Sequence, residues 1–205
     1  MFYLDQILPH EFILCDLEYT SWEGSKELNW SRPGEFREII EIGAAHVRRV
    51  DKRFVICSEF STFVKPQKNP ILSAYISNLT GITQFDIENS GVYFDCALSE
   101  FELFVKHKGP IISYGEDGEI FSDNLFLNNL RQSAIVEGWI DYRQTLSHAA
   151  GLSASLSSSE LPSAIGLSGF NGLAHRALDD VKAQIAVLND LFGDLYEDHC
   201  MYDKR

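Results

Sequence analysis

Apolar positions along this 205-residue chain follow two different periods, one in each half. Phe12 to Asp16, Glu38 to Val50 and Phe54 to Val64 are rich in β-branched and aromatic residues, which predicts three strands. The middle of the second run, Ile39-Ile40-Glu41-Ile42-Gly43-Ala44-Ala45-His46-Val47, is nearly continuous, as expected of a strand covered on both faces. His46 then reads as a satisfied core histidine. Arg49-Val50-Asp51-Lys52-Arg53 predicts a polar hairpin turn into the third strand. Ser21 to Phe36, between the first two strands, is a long irregular loop rich in Trp, Ser, Gly, Pro and charge, and loops of that length are often functional.

After Pro66 the period becomes helical. Ile71, Leu72, Tyr75 and Ile76 mark a short helix ending at Asn78-Leu79-Thr80-Gly81, and Thr83 is placed to cap another short turn. Ala97, Phe101, Phe104 and Val105 share one face of a longer helix from about Asp95, with Lys106-His107-Lys108 at its end, where positive charge suits the helix dipole. Gly109-Pro110 breaks it. Ile111 to Tyr114 predicts a short buried strand, Asp117 to Leu130 a helix and Trp139 to Asp141 another strand. The Ser- and Gly-rich stretch from Leu152 to Gly169 reads as connecting structure with one short helix from Glu160 to Ile165. From Leu178 the stripe Val181, Ile185, Leu188 and Phe192 defines a last amphipathic helix. A hairpin set followed by strands alternating with helices implies an α/β fold, a mixed sheet with helices on its faces.

A content of 45% hydrophobic residues supports one full-sized domain over 1–205, with a core at about 11–193 and a polar tail at about 194–205. No stretch approaches the roughly 18 apolar residues that span a bilayer, and Met1-Phe2-Tyr3-Leu4-Asp5 has no signal-peptide pattern, so a cytoplasmic protein with no membrane role is expected. The cysteines, Cys15, Cys57, Cys96 and Cys200, lack metal or redox spacing and are expected as buried free thiols. His199 beside Cys200 is too small a set for a metal site. The formal charge of −13, from 30 acidic and 17 basic residues, excludes broad non-specific binding of nucleic acid over a basic face. Arg48, Arg49, Lys52 and Arg53 are read as a solvated hairpin.

The charge matters most where it clusters. Asp16 and Glu18 project from one face of the first strand about 7 Å apart. Such a pair repels itself unless neutralised, and an oxygen-rich cluster suits a hard cation such as Mg²⁺ or Mn²⁺. A second cluster, His175-Arg176-Ala177-Leu178-Asp179-Asp180, opens the last helix. Residues five apart differ by about 140° around a helix, so His175 and Asp180 converge only if His175 precedes the helix, consistent with Gly172 nearby. Periodicity does not choose between Asp179 and Asp180. Between the clusters lie Glu116 and Asp117; Asp117 is preferred because Ile120 and Phe121 then follow at helical spacing.

The order of Asp16-x-Glu18, Asp117, and His175 with Asp180 five residues on resembles the DEDD-type 3′–5′ exonucleases with a catalytic histidine (DEDDh, the ribonuclease T and DnaQ-like superfamily). Glu38-Ile39-Ile40-Glu41-Ile42-Gly43-Ala44 looks like that family's second strand, and Leu79-Thr80-Gly81-Ile82 like its substrate-side turn. The loop with Trp30-Ser31-Arg32-Pro33-Gly34-Glu35 is most similar to stand-alone, RNA-interference-associated (Eri-type) members. The resemblance implies a ribonuclease H-like sheet and a metal-dependent 3′–5′ exonuclease acting on single-stranded 3′ ends, RNA slightly favoured over DNA. It implies two divalent ions, Mg²⁺ or Mn²⁺, about 4 Å apart, held by Asp16, Glu18, Asp117 and Asp180, with Asp16 bridging and His175 as general base. It also implies that Leu17, Thr20, Leu79 and Thr80 contact the terminal nucleotide. Trp30 and Arg32, with Trp22, are candidates for base stacking and phosphate holding, against the alternative of packing the loop on the sheet. A rival reading is a catalytically inactive nucleic-acid or protein binding module on the same fold. Monomer and homodimer both remain open.

Overall fold

The computed structural model describes residues 8–131, 133–167 and 175–192. Gly172, His199, Cys200 and the polar tail lie outside them. The described residues form one five-stranded sheet in the order β3-β2-β1-β4-β5, with strands β1 (Glu11–Tyr19), β2 (Ile39–Val50), β3 (Arg53–Phe63), β4 (Ile111–Ser113) and β5 (Ile140–Asp141). The first three strands pair antiparallel, with Asp51 in the left-handed region at the hairpin, while β4 and β5 add in parallel. The mixed sheet is the one expected from the pattern.

Eight α-helices are described: α1 (Ala74–Thr80), α2 (Gln84–Ser90), α3 (Phe94–Val105), α4 (Asp117–Leu127), α5 (Ala134–Glu137), α6 (Arg143–Ala150), α7 (Leu161–Ala164) and α8 (Ala177–Phe192), with a 3-10 turn at Ser158–Glu160. The side-chain alternation of β1 sorts them. Phe12 and Leu14 pack with Ala45 and Val47 of β2 against Val181, Ile185 and Leu188 of α8 and Leu146 of α6. Ile13, Cys15 and Leu17 face the other way, onto Ala97 and Phe101 of α3 and Ile120 and Phe121 of α4. Burial on both faces explains the near-continuous apolar run of β2. The sheet is therefore covered by helices on both sides, as expected.

Three details differ from the expectations. Helices α5 and α6 are absent from the sequence reading; α6, Arg143-Gln144-Thr145-Leu146-Ser147-His148-Ala149-Ala150, offers only Leu146 as a large buried residue, too little to show a period. Cys57 and Cys96 are free but exposed, since each sits on the solvent side of its element, and only Cys15 is a buried thiol among the described residues. His46 is satisfied as expected, with Nε2 2.7 Å from Glu11 Oε1, but it is half-buried and not in the core.

Candidate active site

Because Phe12 and Leu14 face α8, Asp16 and Glu18 continue the same face at the far end of β1, where apolar packing gives way to a cavity of about 640 Å³. Both are buried, at 7% and 8% exposure. Asp117 reaches the same place from α4. Pairing between β1 and β4 stops at Cys15–Ser113, so the Leu17 N–H beyond it lacks a ladder partner and donates to Asp117 Oδ1 at 3.1 Å. Asp180 arrives from the first turn of α8, also buried. His175 precedes that helix with φ +66°, a left-handed conformation sparsely used by non-glycine residues. It turns the imidazole back onto the acids, where ligand atoms of Glu18, His175 and Asp180 all lie within 4.8 Å of one another.

Asp117, and not Glu116, is the acid the fold brings in. Glu116 is exposed on the rim and pairs with Arg37 at 3.4 Å, whereas Asp117 is buried beside β1. Asp179 is only partly buried while Asp180 faces the cavity.

How close the two halves of the site come depends on β2. Gly43 lies opposite Asp16 in the β1–β2 register, and a Cβ there would stand 2.2 Å from the Leu178 backbone nitrogen and 2.4 Å from the Ala177 carbonyl carbon. Only a residue without a side chain lets the start of α8 lie against the strand. Opposite Glu18 sits Glu41, 1% exposed. Its carboxylate accepts from the Ala177 N–H at 3.0 Å and from Arg176 Nη2 at 2.8 Å and Nε at 3.1 Å, so it caps and anchors the same helix end. Gln184, one turn beyond Asp180 and fully buried, donates from Nε2 to Asp16 Oδ1 at 3.4 Å and accepts from the Tyr142 hydroxyl. Glu41, Gly43 and Gln184 were not singled out from the sequence. Glu41 had a visible signal, a charge inside a run buried on both faces, which must be partnered.

The four acids themselves have no cationic partner of this kind. Among the described residues no lysine or arginine forms an ion pair with Asp16, Glu18, Asp117 or Asp180. Burial, then repulsion from Asp117, Asp180, Glu18 and Glu41, pushes Asp16 well above the usual carboxylate range, and burial with Asp180 and Glu41 does the same to Glu18. Burial raises Asp117 to about 6, against hydrogen bonds that lower it, and Asp180 to about 7. Burial lowers His175, partly offset by Glu160. A set of hard oxygen donors held together at this electrostatic cost fits a hard divalent cation.

The remaining expected contacts divide. Leu17, Leu79 and Trp30 line the cavity. Thr20, Thr80 and Arg32 are instead engaged within the protein. Thr20 Oγ1 donates to the Phe36 carbonyl and accepts from the Glu38 N–H at 3.0 Å, closing the long loop at its base. Thr80 Oγ1 donates to the Ile76 carbonyl at 2.8 Å and accepts from the Ile82 N–H. Arg32 pairs with Glu35 at 2.8 Å and donates to the Glu23 carbonyl at 2.7 Å. Trp30 does both jobs: its indole N–H donates to the Thr20 carbonyl and its ring lies 5.5 Å from that of Tyr19. Trp22 is half-buried and does not line the cavity. The loop is thus tied by Thr20, Arg32 and Trp30, while Lys26 and Asn29 of the same loop line the cavity.

A ribonuclease H-like mixed sheet with four acids gathered at one end of its central strand defines a class of nucleic-acid-processing folds. The chain belongs to the RNase_T exonuclease family, whose model matches residues 13–188. Its sequence relatives include Eri-type exonucleases. ERI1 exoribonuclease 2 of Xenopus laevis is 35% identical over 94 residues, 46% of this chain and 12% of that protein, and the 3′-5′ exonuclease eri1 of Schizosaccharomyces pombe is 30% identical over 83 residues, 40% and 27%. This chain therefore spans only a minor part of those proteins. Among solved structures, the nuclease domain of 3′hExo, a DEDDh family member bound to rAMP, has a TM-score of 0.72 at 24% identity, covering 88% of this chain and 91% of that one. That likeness establishes the shared fold.

Proposed function

We propose that this protein is a metal-dependent 3′–5′ exonuclease that removes nucleotides from single-stranded nucleic-acid 3′ ends, RNA in preference to DNA. The observation that carries the reading is the convergence of Asp16, Glu18, Asp117 and Asp180, from three separate elements, on one cavity beside His175. The RNA preference rests on the relatives named exoribonucleases.

Asp16, Glu18, Asp117 and Asp180 are the residues that would hold the divalent ions. Such ions, when bound, lower the pKa of water and stabilise the charge of the leaving oxygen. The chain's own contribution is positioning and proton transfer. Strand β1 fixes Asp16 and Glu18, the Leu17 N–H and the Gln184 amide hold oxygens of Asp117 and Asp16, and Glu41 fixes the start of α8. His175 accepts the proton of the attacking water at an imidazole nitrogen. Burial favours its neutral form, the state that can accept. Leu79, 37% exposed on the opposite wall, offers an apolar surface to the terminal base.

A time course with 5′-labelled single-stranded RNA and DNA oligonucleotides, with and without Mn²⁺, tests the proposal. Expected is a ladder shortening from the 3′ end, faster on RNA, abolished by chelation and by Asp180→Asn. Full-length oligonucleotide after prolonged incubation with Mn²⁺ would overturn it and favour a binding module.

A further inference from the structure

Three arginines stand around the candidate site, and two are already committed. Arg176 is held by Glu41, and Arg37 reaches from the base of the long loop to Asp123 at 2.7 Å and Glu116 at 3.4 Å. Arg143, the first residue of α6, lines the cavity and is different. Among the described residues it makes no ion pair. Its guanidinium has one long contact, Nη2 to the Tyr114 carbonyl at 3.4 Å, lies over the Tyr114 ring at 5.5 Å, and has its Nε buried with no hydrogen-bond partner.

Its place is nonetheless prepared. Asp141 Oδ1 accepts from the backbone N–H groups of both Arg143 and Gly115, fixing the end of β5 against the end of β4. Gly115, at φ +132°, leaves the space the guanidinium occupies, since a Cβ there would lie 1.8 Å from Arg143 Nη2. Gly115 is two residues from Asp117, so the cation is seated beside the acids without neutralising them through an ion pair. A buried guanidinium N–H left without an acceptor costs free energy, so a retained orphan of this kind is poised for an external acceptor.

We propose that Arg143 is the residue that grips a backbone phosphate of the bound strand. An arginine suits the task because its planar fork gives two parallel donors to phosphate oxygens. In a chain of net charge −13, with acids lining the cavity, a phosphodiester needs such a cation besides any metal. Arg143 swings from the Tyr114 carbonyl into the cavity, and its unpaired donor is satisfied by the ligand. The inference rests on the exonuclease reading for the identity of the ligand, but it can be tested by binding alone.

The test compares wild type, Arg143→Ala and Arg143→Lys for affinity to a fluorescent single-stranded RNA oligonucleotide by anisotropy, with Ca²⁺ and with chelator, over a series of salt concentrations. Expected is a loss of affinity of about 10- to 100-fold for Arg143→Ala, with the slope of log affinity against log salt reduced by about 0.7, the value for one lost phosphate contact on a single strand. Arg143→Lys should keep the slope but recover only part of the affinity. In the Mn²⁺ assay the alanine variant should raise KM more than it lowers kcat. Unchanged melting of both variants separates binding from folding, because a merely structural arginine would not alter the salt slope. Wild-type affinity and slope in Arg143→Ala overturn the proposal, as does an Arg143→Lys variant no better than alanine in slope. Binding by wild type without any nucleotide release overturns the exonuclease reading, while a weakened Arg143→Ala still supports this one.

Discussion

Glu38, just before β2, and Glu41, within it, are buried as deeply as Asp16 and Glu18 on neighbouring β1, yet the two pairs are provided for in opposite ways. Glu38 accepts three consecutive backbone N–H groups, from Gln67 and Asn69 at 2.6 Å and Lys68 at 2.7 Å, and Glu41 has Arg176 and the Ala177 N–H. Asp16 has one long contact from Gln184, and no ion pair reaches Asp16 or Glu18 among the described residues. The fold supplies a full set of donors to the acids that hold it together and leaves the two β1 acids at the cavity without one. Burial alone therefore does not mark a functional carboxylate; burial without donors does.

The sharpest way to break this contrast is to neutralise one acid from each pair. Asp16→Asn should lower Mn²⁺-dependent nucleotide release by about a thousandfold or more, yet melt no lower than wild type in chelator, because it removes a repelled charge. Glu41→Gln should do the reverse in kind, costing about 2 kcal/mol in urea unfolding. That lies below the range for a fully buried pair, because the Arg176 side chain is partly exposed. If Asp16→Asn destabilises the chelated protein as much as Glu41→Gln, the two sets are not distinct.

The contrast also fixes a pH dependence. Asp117 and Asp180 titrate near 6 and 7 in the folded protein, above an ordinary value of 3.8. Folding thus favours their protonated forms, and the stability this gives is present at about pH 4 and lost as pH rises through 6 and 7. In chelator the melting temperature should fall over that window. At pH 7.5, added Mn²⁺ should raise it, since ion binding to the folded state alone is stabilising. A melting temperature that climbs with pH in chelator would show the acids to be neutralised by the protein after all. The smallest effect belongs to Arg32→Ala. Its pair with Glu35, exposed on the arginine side, should be worth about 1 kcal/mol, with nucleotide release unchanged in the oligonucleotide assay.

Elements with strong periods could be read from the chain alone. The three long strands, α3 and α8 carry alternation or an i, i+3, i+4 stripe; the shared face of the β1 acids follows from that phase, whereas the choice of Asp180 over Asp179 follows only from the resemblance in spacing. The parts that could not be read are those that tertiary partners define. Helix α6 has no stripe, and Arg143 became a candidate only once Gly115 and Asp141 were seen to seat it. Thr20 and Arg32 looked free in sequence because their acceptors, the Phe36 and Glu23 carbonyls, are backbone atoms whose position no side-chain pattern reveals. Glu41 was written in the sequence but its partner, 135 residues away, was not.

Gly43 gives the site a setting that belongs to none of its acids. With α8 resting on bare backbone, the gap between the β1 carboxylates and the His175–Asp180 end is calibrated by a missing methyl group. A glycine-to-alanine change in a buried strand would ordinarily be filed among folding defects. Here it would act as a spacer, prising the two halves of the cluster apart while removing no ligand residue, so that a gentle substitution far from the chemistry in sequence terms becomes a catalytic lesion.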